Sequence, residues 1–449
     1  MCRRSVRRVA PIALTLVLCA TTAASQQTVA LVGGTLIDGN GGAPVRNSVV
    51  LVQADRITAV GTVGALAVPK GATVISTEGM TVLPGLWDMH VHLMLVGHGD
   101  YAYWDKTYPR DIAKSIMPAA ARQSLMHGIT SVRDLGSSLE DIVAIKERIN
   151  SGALVGPTIY SSGPFLQHAP YPGTEAFRWG VNGPDDARAK VRKLAAAGMN
   201  VIKLIDQDEM TMDEVRAVVE EAHKFKLPVV AHAHRPEEIR RGLAAGVDDF
   251  EHTGLATAQE YPADIVDALR ERSARGNVAP LFWTPTIDVL TNFTTRRDAS
   301  EFVDDPQWYE YLPDSIARDV HRSIERLDTL AYYRQVPARK PTLATKFRQL
   351  RESGVRLLIG TDGGVPANFH GYATPQEMIT WVRTYGMDPM ETIRAATFWP
   401  AVAMGVDRQV GTIVPGKVAD ILAVRGDALE QIERLQYPAI VIHRGVRYR

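Results

Sequence analysis

The sequence contains little cysteine: Cys2 and Cys19 are the only two in 449 residues, and both lie near the N-terminus. This small number excludes a disulfide-rich scaffold and a zinc site built from thiolates. The rest of the chain must therefore be stabilised by its apolar core, for which hydrophobic residues supply 45% of the sequence.

The sequence also lacks an excess of charge of either sign, with 50 basic and 50 acidic residues. Proteins that bind nucleic acids usually carry a basic excess, so no nucleic-acid partner is expected. Charged residues make up 22% of the chain, a share typical of globular enzymes. Together with the hydrophobic content, this excludes a disordered, collagen-like or multi-span membrane protein.

A short apolar run from Val9 to Cys19 follows four arginines and precedes small residues that end at Ser25. This order is typical of a secretory signal peptide, and the run is too short to span a bilayer as a stable helix. We expect residues 1–26 to be removed and the mature protein to be secreted or periplasmic, with no membrane contact beyond the signal peptide. An uncleaved N-terminal anchor is the alternative.

The pattern of the mature chain predicts an α/β protein with two parts. Short β-branched stretches in residues 27–83 and 405–449 predict a small β-sandwich built from both chain ends. Between them, residues 84–404 alternate strands and helices, which predicts a (β/α)8 TIM barrel. The eight expected strands are Gly85–His92, Ile129–Asp134, Thr158–Ser162, Val201–Ile205, Val229–Ala233, Asp248–His252, Phe282–Thr286 and Leu357–Asp362. The long stretch 288–346 is expected to form a lid-like insertion after the seventh strand.

Histidines stand at the ends of three of these strands. His90 and His92 end the first, His232 and His234 end the fifth, and His252 ends the sixth. Residues i and i+2 of a strand face the same side, and barrel enzymes hold their active sites at the C-terminal ends of the strands. Each histidine alone has an ordinary structural explanation, but their convergence predicts a zinc-type metal site.

Two further polar residues belong to this expected site. Lys203 lies within the apolar fourth strand, where its charge is costly unless it is neutralised or paired, or unless its stem reaches out to solvent. Asp362 ends the eighth strand beside two glycines and is a candidate ligand, general base or turn residue.

Other residues are expected to contact the substrate. His168 and His370 lie on loops after the third and eighth strands. His234 lies two residues after His232 and therefore on the same face of the strand. Arg133 and Arg235 are candidates, with His168 and His370, for binding a substrate carboxylate.

Four segments together resemble the amidohydrolase superfamily, and the similarity covers nearly all of the mature chain. They are Leu83–His92, Val32–Gly39, Gly411–Ile421 and Asp388–Thr397. The lysine of the fourth strand resembles that of the imidazolonepropionase-related and prolidase-like branch, whose members cleave dipeptides and N-acyl amino acids. The loop 163–170 departs from the Gly-Gly-His-Gly loop of many dipeptidases in that branch, so the substrate stays open.

The resemblance implies two divalent metal ions, expected to be zinc, and a carboxylated Lys203. One ion would be held by His90, His92, Lys203 and Asp362, and the other by Lys203, His232 and His252. A bridging hydroxide would attack the substrate, with Asp362 as general base and then general acid.

The function implied is hydrolysis of a C–N bond in dipeptides or N-acyl amino acids by an exported enzyme that acts on small molecules. Relatives often assemble, so a homo-oligomer is compatible with the sequence. The alternatives are hydrolysis of cyclic amides, lactones or esters, a mononuclear deaminase-like enzyme, and a protein that has kept the fold for binding alone.

Overall fold

The part of the chain that the computed structural model describes comprises residues 27–253, 256–276, 280–293, 300–325, 327 and 330–449. The expected signal peptide, residues 1–26, lies outside it. None of the helices in the described ranges is long and apolar enough to cross a membrane.

Strands from the two chain ends form two sheets. The N-terminal strands are β1 (Val29–Val32), β2 (Thr35–Leu36), β3 (Ser48–Gln53), β4 (Arg56–Thr62), β5 (Thr73–Ser76) and β6 (Met80–Pro84). One sheet has the order β4-β3-β1-β5. In the other, β6 lies between β2 and a strand from the C-terminal end, Ile421–Arg425, with which it pairs antiparallel. Leu31 and Val50 of the first sheet share one buried cluster with Val82 and Ile421 of the second, so apolar burial joins the sheets.

The middle of the chain is an α/β barrel of parallel strands. Its strands are β7 (Leu86–Val91), β8 (Ile129–Asp134), β9 (Thr158–Ser161), β10 (Phe165–Gln167), β11 (Arg178–Gly180), β12 (Ile202–Leu204), β13 (Val229–His232), β14 (Asp249–Glu251), β15 (Phe282–Thr284) and β16 (Arg356–Leu357). Apart from β10 and β11, these strands correspond to the eight expected segments. Seven lie within their segments, whereas β16 begins one residue before the expected Leu357–Asp362 and shares only Leu357 with it.

Backbone hydrogen bonds close the barrel at the two places where the paired sheets meet. The amide of Asn200 donates to the carbonyl of Ser161 at 2.8 Å, which joins β9 to the start of β12. The amide of Met89 donates to the carbonyl of Ile359 at 2.9 Å, and Val91 forms a parallel bridge with Gly363. The strand ends therefore converge on one mouth, as the (β/α)8 fold requires.

Helices follow the barrel strands and cover the barrel. They span Tyr101–Thr107, Met117–Met126, Leu139–Asn150, Pro184–Ala196, Met212–Lys224, Pro236–Ala245, Ala263–Ser273, Leu343–Ser353, Ala373–Arg383, Pro389–Ala395 and Phe398–Ala403, and a π-helix spans Ile112–Ile116. The helix Met212–Lys224 illustrates why these segments are helical. Thr211 and Glu214 form a capping box at its start, and Val215, Val218 and Ala222 bury one face at helical spacing. The chain then ends in strands β17 (Ile421–Arg425), β18 (Pro438–His443) and β19 (Val446–Arg447).

Two segments that follow barrel strands contain secondary structure of their own. Residues 163–170 include β10, which pairs in parallel with β11, so a small sheet extension stands where a plain loop was expected. The segment 288–346 folds into short helices, which span Asp288–Thr291, Ser300–Val303, Asp314–Ile324, Ala331–Arg334 and Val336–Arg339, and 3-10 turns at Pro306–Tyr309 and Lys340–Thr342. Its Trp308 stacks on Phe369 at 5.9 Å, and its Asp319 accepts a hydrogen bond from the Tyr108 hydroxyl at 2.7 Å. The segment thus packs on the loops after β16 and β7.

Replacement of Leu422 by Ala tests the attachment of the C-terminal strands. Leu422 is fully buried, pairs with Leu83 of β6 and packs at Gly128 beneath the barrel. We expect the substitution to lower the free energy of unfolding by about 2–5 kcal/mol because it leaves a cavity in a packed core. Chemical denaturation measures the change. The control Val74→Ala removes a side chain that is 58% exposed and should change it by less than about 0.5 kcal/mol. Equal effects in the two variants would contradict this role of Leu422.

Candidate metal centre

Two groups of potential metal ligands lie at the mouth of the barrel. His90, His92 and Asp362 form one, and His232, His234 and His252 form the other; within each group the ligand atoms lie within 4.8 Å of one another. In the first group, Asp362 Oδ1 is 3.0 Å from His92 Nε2 and 3.4 Å from His90 Nε2. The imidazole centroids of His90 and His252 are 4.6 Å apart, so the groups are adjacent.

Strand geometry and local backbone conformation place these side chains. His90 and His92 alternate with Val91, which puts both imidazoles on the inner side of the barrel. His252 and Asp362 have positive φ angles of 75° and 59°, a region that is costly for residues other than glycine. The surrounding hydrogen bonds maintain this conformation, including that from the His252 amide to the carbonyl of Thr284 at 2.8 Å.

His90, His232 and His252 are held in the neutral form that metal ions require. Burial, reinforced by the nearby charge of Lys203, holds the pKa of His90 and of His232 well below the ordinary value. Burial and the neighbouring His90 do the same for the pKa of His252. A neutral imidazole offers one nitrogen lone pair, which is the form in which histidine binds metals.

Lys203 lies fully buried in the middle of β12. Its Nζ has no hydrogen-bond partner among the described residues, and burial lowers its pKa to about 8. Its charge acts on His90 and Asp362 of one group and on His232 and His252 of the other, so the amine lies close to both. An ammonium group without an acceptor is expensive to bury, which favours a chemical change or a ligand at this position.

Three buried charged residues, Arg133, Asp249 and Glu251, form a layer next to the first group, on the side away from the cavity. The sequence interpretation missed the two acidic ones. His90 Nδ1 is 2.7 Å from Glu251 Oε2, which turns Nε2 of the same ring toward Asp362. Arg133 Nη2 donates to Asp249 and to Glu251, at 2.7 Å each, and Arg133 Nε donates to the carbonyl of Met89 at 2.7 Å. The presence of Asp249 and Glu251 within a predicted buried strand could have indicated this layer from the sequence.

Asp88 fixes the loop that carries Asp362. Its carboxylate accepts hydrogen bonds from the hydroxyls of Thr361 and Thr374, at 2.7 Å each, and from the amide of His90 at 3.1 Å. Burial raises the pKa of Asp88 to about 6 despite these bonds. The first and last strands of the barrel are thereby tied together beside the metal ligands.

A cavity of about 800 Å³ opens above the two groups. Its floor includes His92, His234 and Asp362, and its walls are largely apolar and aromatic. The described part of 288–346 contributes no residue to this lining; the loops after β7 and β9 form the walls instead. The lid-like role expected for 288–346 stays a prediction.

Most of the residues expected to contact substrate lie elsewhere. Arg133 is 1% exposed and bound to the carboxylates below the site, so it cannot reach a ligand. Arg235 pairs with Asp206, Asp208 and Glu238 outside the cavity lining. His370 is buried against the carbonyl of Leu95, which its Nε2 approaches at 2.9 Å, and His168 is exposed and absent from the lining. Only His234 of the five lines the cavity.

The cavity wall also carries a cation that the sequence interpretation missed. Arg178, at the start of β11, lines the cavity beside Phe165, with which it is in register. The only available signal was its place in a turn-rich, aromatic stretch after the third strand, which does not distinguish it from the other arginines of the chain.

Comparison with known proteins agrees with this arrangement. The model of the amidohydrolase family matches residues 81–445. The chain belongs to this family. It is 25% identical to ochratoxinase of Aspergillus niger over 459 residues, covering 91% of this chain and 84% of that protein.

Solved amidohydrolase structures share the fold over nearly the whole chain. A putative prolidase from Bifidobacterium longum superposes with a TM-score of 0.70 at 26% identity, covering 94% of this chain and 95% of that one. A Xaa-Pro dipeptidase with bound methionine superposes with a TM-score of 0.71 at 25% identity, covering 94% and 100%. This amidohydrolase is therefore an enzyme that hydrolyses carbon–nitrogen bonds.

Replacement of Arg133 by Gln tests the buried layer. Without the guanidinium, Asp249 and Glu251 would lie uncompensated in the barrel, so we expect the free energy of unfolding to fall by about 3–5 kcal/mol. Chemical denaturation of the metal-free protein measures it. The control Arg240→Gln breaks an exposed pair with Asp264 and should leave the value unchanged within error. A similar small effect in both variants would show that Arg133 does not compensate this layer.

Proposed function

We propose that this amidohydrolase is a binuclear metal enzyme that cleaves the amide bond of N-acyl amino acids or dipeptides. The observation that carries the proposal is the buried Lys203 Nζ, which lacks a hydrogen-bond partner in the described structure and lies close to both ligand groups. In this proposal His90, His92 and Asp362 hold one ion, and His232 and His252 hold the other. Lys203 contributes to both as a carboxylate.

The donor set fits divalent metal ions. His90 Nε2 is buried and, like Lys203 Nζ, has no hydrogen-bond partner in the described part of the chain. Carboxylation resolves the cost of burying the lysine: the neutral amine attacks carbon dioxide, forms a C–N bond and loses a proton, which leaves an anionic carbamate. A pKa of about 8 keeps a fraction of the amine neutral near pH 7, as this step requires.

Two bound divalent ions would lower the pKa of water and polarise the substrate carbonyl. The residues of the chain supply the proton transfers. Burial opposes ionisation of Asp362, but the hydrogen bond with His92 and, before its carboxylation, the charge of Lys203 keep the pKa of Asp362 below the ordinary value. Asp362 is therefore an available base that takes a proton from the attacking water and passes it to the leaving nitrogen.

His234 is suited to stabilise charge on the substrate. Burial lowers the pKa of His234 to about 3, so its imidazole is neutral near pH 7 and keeps one N–H to donate. Its position in the cavity floor allows this N–H to reach an oxyanion that forms on the attacked carbonyl.

The substrate class is supported by the cavity and by two relatives. Met94, Leu95 and Phe177 make the walls apolar, which favours a substrate with apolar groups. Ochratoxinase and a Xaa-Pro dipeptidase are among the similar proteins. We further propose, from the sequence of residues 1–26, that the enzyme acts outside the cytoplasm.

A substrate panel tests the proposed reaction. Zinc-loaded protein is assayed for release of free amine from dipeptides, including Xaa-Pro, and from N-acyl amino acids, with lactones and a cyclic amide in parallel. We expect turnover of the linear amides. Turnover of lactones or cyclic amides alone would contradict the proposal and favour the alternative hydrolase functions.

Replacement of Asp362 by Ala tests the proton carrier. We expect turnover to fall by a factor on the order of 10²–10⁴, the usual contribution of a general acid–base group, while part of the metal stays bound. Steady-state kinetics and elemental analysis of the same sample measure the two quantities. Turnover at the wild-type rate would exclude the role of Asp362.

Replacement of Lys203 by Ala tests the shared ligand. We expect less than two equivalents of metal and partial recovery of activity on addition of a short carboxylic acid, which can occupy the vacated space. The control Lys146→Ala removes a different lysine, which is partly buried and whose Nζ contacts Asn200. This variant should keep the full metal content. Two equivalents of metal in the Lys203 variant would contradict the proposal.

A further inference from the structure

Arg178 occupies an aromatic pocket in the cavity wall. Its guanidinium carbon lies 4.7 Å from the ring centroid of Tyr171, 5.2 Å from that of Phe165 and 5.6 Å from that of Phe177. Nη1 donates to Gln167 Oε1 at 3.2 Å, a neutral acceptor. These contacts fix the orientation of the side chain without neutralising its charge.

Arg178 differs in this respect from Arg133 and Arg235, the two arginines that the sequence suggested for binding a substrate carboxylate. Arg133 and Arg235 each pair with two or more carboxylates, whereas Arg178 forms no salt bridge with a described residue. Asp105 and Asp206 are close enough to interact with its charge but do not come within 4.0 Å. Asp206 is itself paired with Arg235 at 3.0 Å.

The buried part of this guanidinium is also short of acceptors. Arg178 Nε is inaccessible to solvent and has no hydrogen-bond partner within the described ranges. A guanidinium held between aromatic rings, with open donors and no carboxylate, is suited to a planar anion, because the pairing of Arg with a carboxylate is charge-assisted and often bidentate.

Phe165 connects this cation to the metal centre. The centroid of the Phe165 ring lies 6.1 Å from that of the His92 ring and 5.2 Å from the guanidinium carbon of Arg178. Arg178 can therefore be no farther from His92 than these two distances combined. This span corresponds to about two to three residue lengths at about 3.8 Å each, so one small substrate can reach both.

We propose that Arg178 is a specificity-determining residue that binds the free carboxylate of the substrate while the amide bond lies at the metal centre. The proposal rests on the proposed amide hydrolysis and names the residue that recognises its substrates, which are N-acyl amino acids or dipeptides with a free C-terminal carboxylate and an apolar side chain. Substrates in which the carboxylate is replaced by a neutral carboxamide lose this interaction.

Kinetics on matched substrates test the proposal. Each amide that the zinc-loaded wild type hydrolyses is compared with its C-terminal carboxamide, for the wild type, Arg178→Gln and Arg178→Lys. We expect Arg178→Gln to lower kcat/KM for the acid by a factor on the order of 10–100, mainly through KM, and to leave the carboxamide within about twofold. Arg178→Lys should retain part of the preference for the acid.

The control removes a positive charge from the outer side of the same region. Lys193 is exposed, lies over Trp179 and does not line the cavity, so Lys193→Gln should keep the wild-type preference for the acid. Equal losses for acid and carboxamide in Arg178→Gln, or an unchanged preference, would overturn the assignment.

Binding separates this inference from the proposed reaction. Calorimetric titration of the metal-loaded protein with L-phenylalanine and with L-phenylalaninamide needs no turnover. We expect wild type to bind the acid at least tenfold more tightly and Arg178→Gln to lose the difference. If no amide is hydrolysed but this difference is found, the proposed function fails and the role of Arg178 stands. If wild type binds both alike, or neither, the role of Arg178 fails whatever the enzyme hydrolyses.

Discussion

Burial of an amine at the centre of the barrel is the constraint on which the site depends. The parallel strands are packed on both faces, so Lys203 in β12 cannot reach water, and its Nζ has no hydrogen-bond partner in the described residues. The cost of this burial is relieved by a counter-charge or ligand, or by removing or reversing the charge itself. In the centre that we propose, carboxylation would reverse the charge, and the neighbouring histidines and Asp362 would gain an anionic ligand from the same change. The proposed metal site would thus account for the buried lysine.

The remaining charges of the barrel interior are arranged around this constraint. Arg133 joins Asp249 and Glu251 below the ligands, and Glu251 in turn orients His90. Asp88 ties the loop after β16 to the strand that carries His90. The largely apolar and aromatic walls line the cavity above the site, and Arg178 presents a cation that aromatic rings hold in place. The buried charged residues, the candidate metal ligands and the proposed substrate-binding residue thus follow one another from the barrel interior to the cavity wall.

The sequence predicted the parts of this structure that follow a local period. Side chains alternate between the two faces of a strand, so the spacing of His90 and His92 alone predicts that both point to the same side. The resemblance to amidohydrolases added the roles of Lys203 and Asp362, which residue type alone left open. Arg133 was wrongly expected to contact the substrate, because the sequence does not show whether a charged residue near the end of a strand is buried or reaches the cavity. Arg178 was missed because its position depends on the pairing of β10 with β11, a non-local contact. The packing of 288–346 on neighbouring loops also depends on non-local contacts and could not be predicted from the sequence.

Diffraction at the zinc absorption edge tests the account most directly. Crystals of the wild type, grown with zinc and bicarbonate, should show two anomalous peaks, one beside His90, His92 and Asp362 and one beside His232 and His252. Electron density should extend beyond Lys203 Nζ by the three atoms of a carboxylate and contact both peaks. A single peak, or an unmodified lysine directed away from the metal, would contradict the binuclear centre.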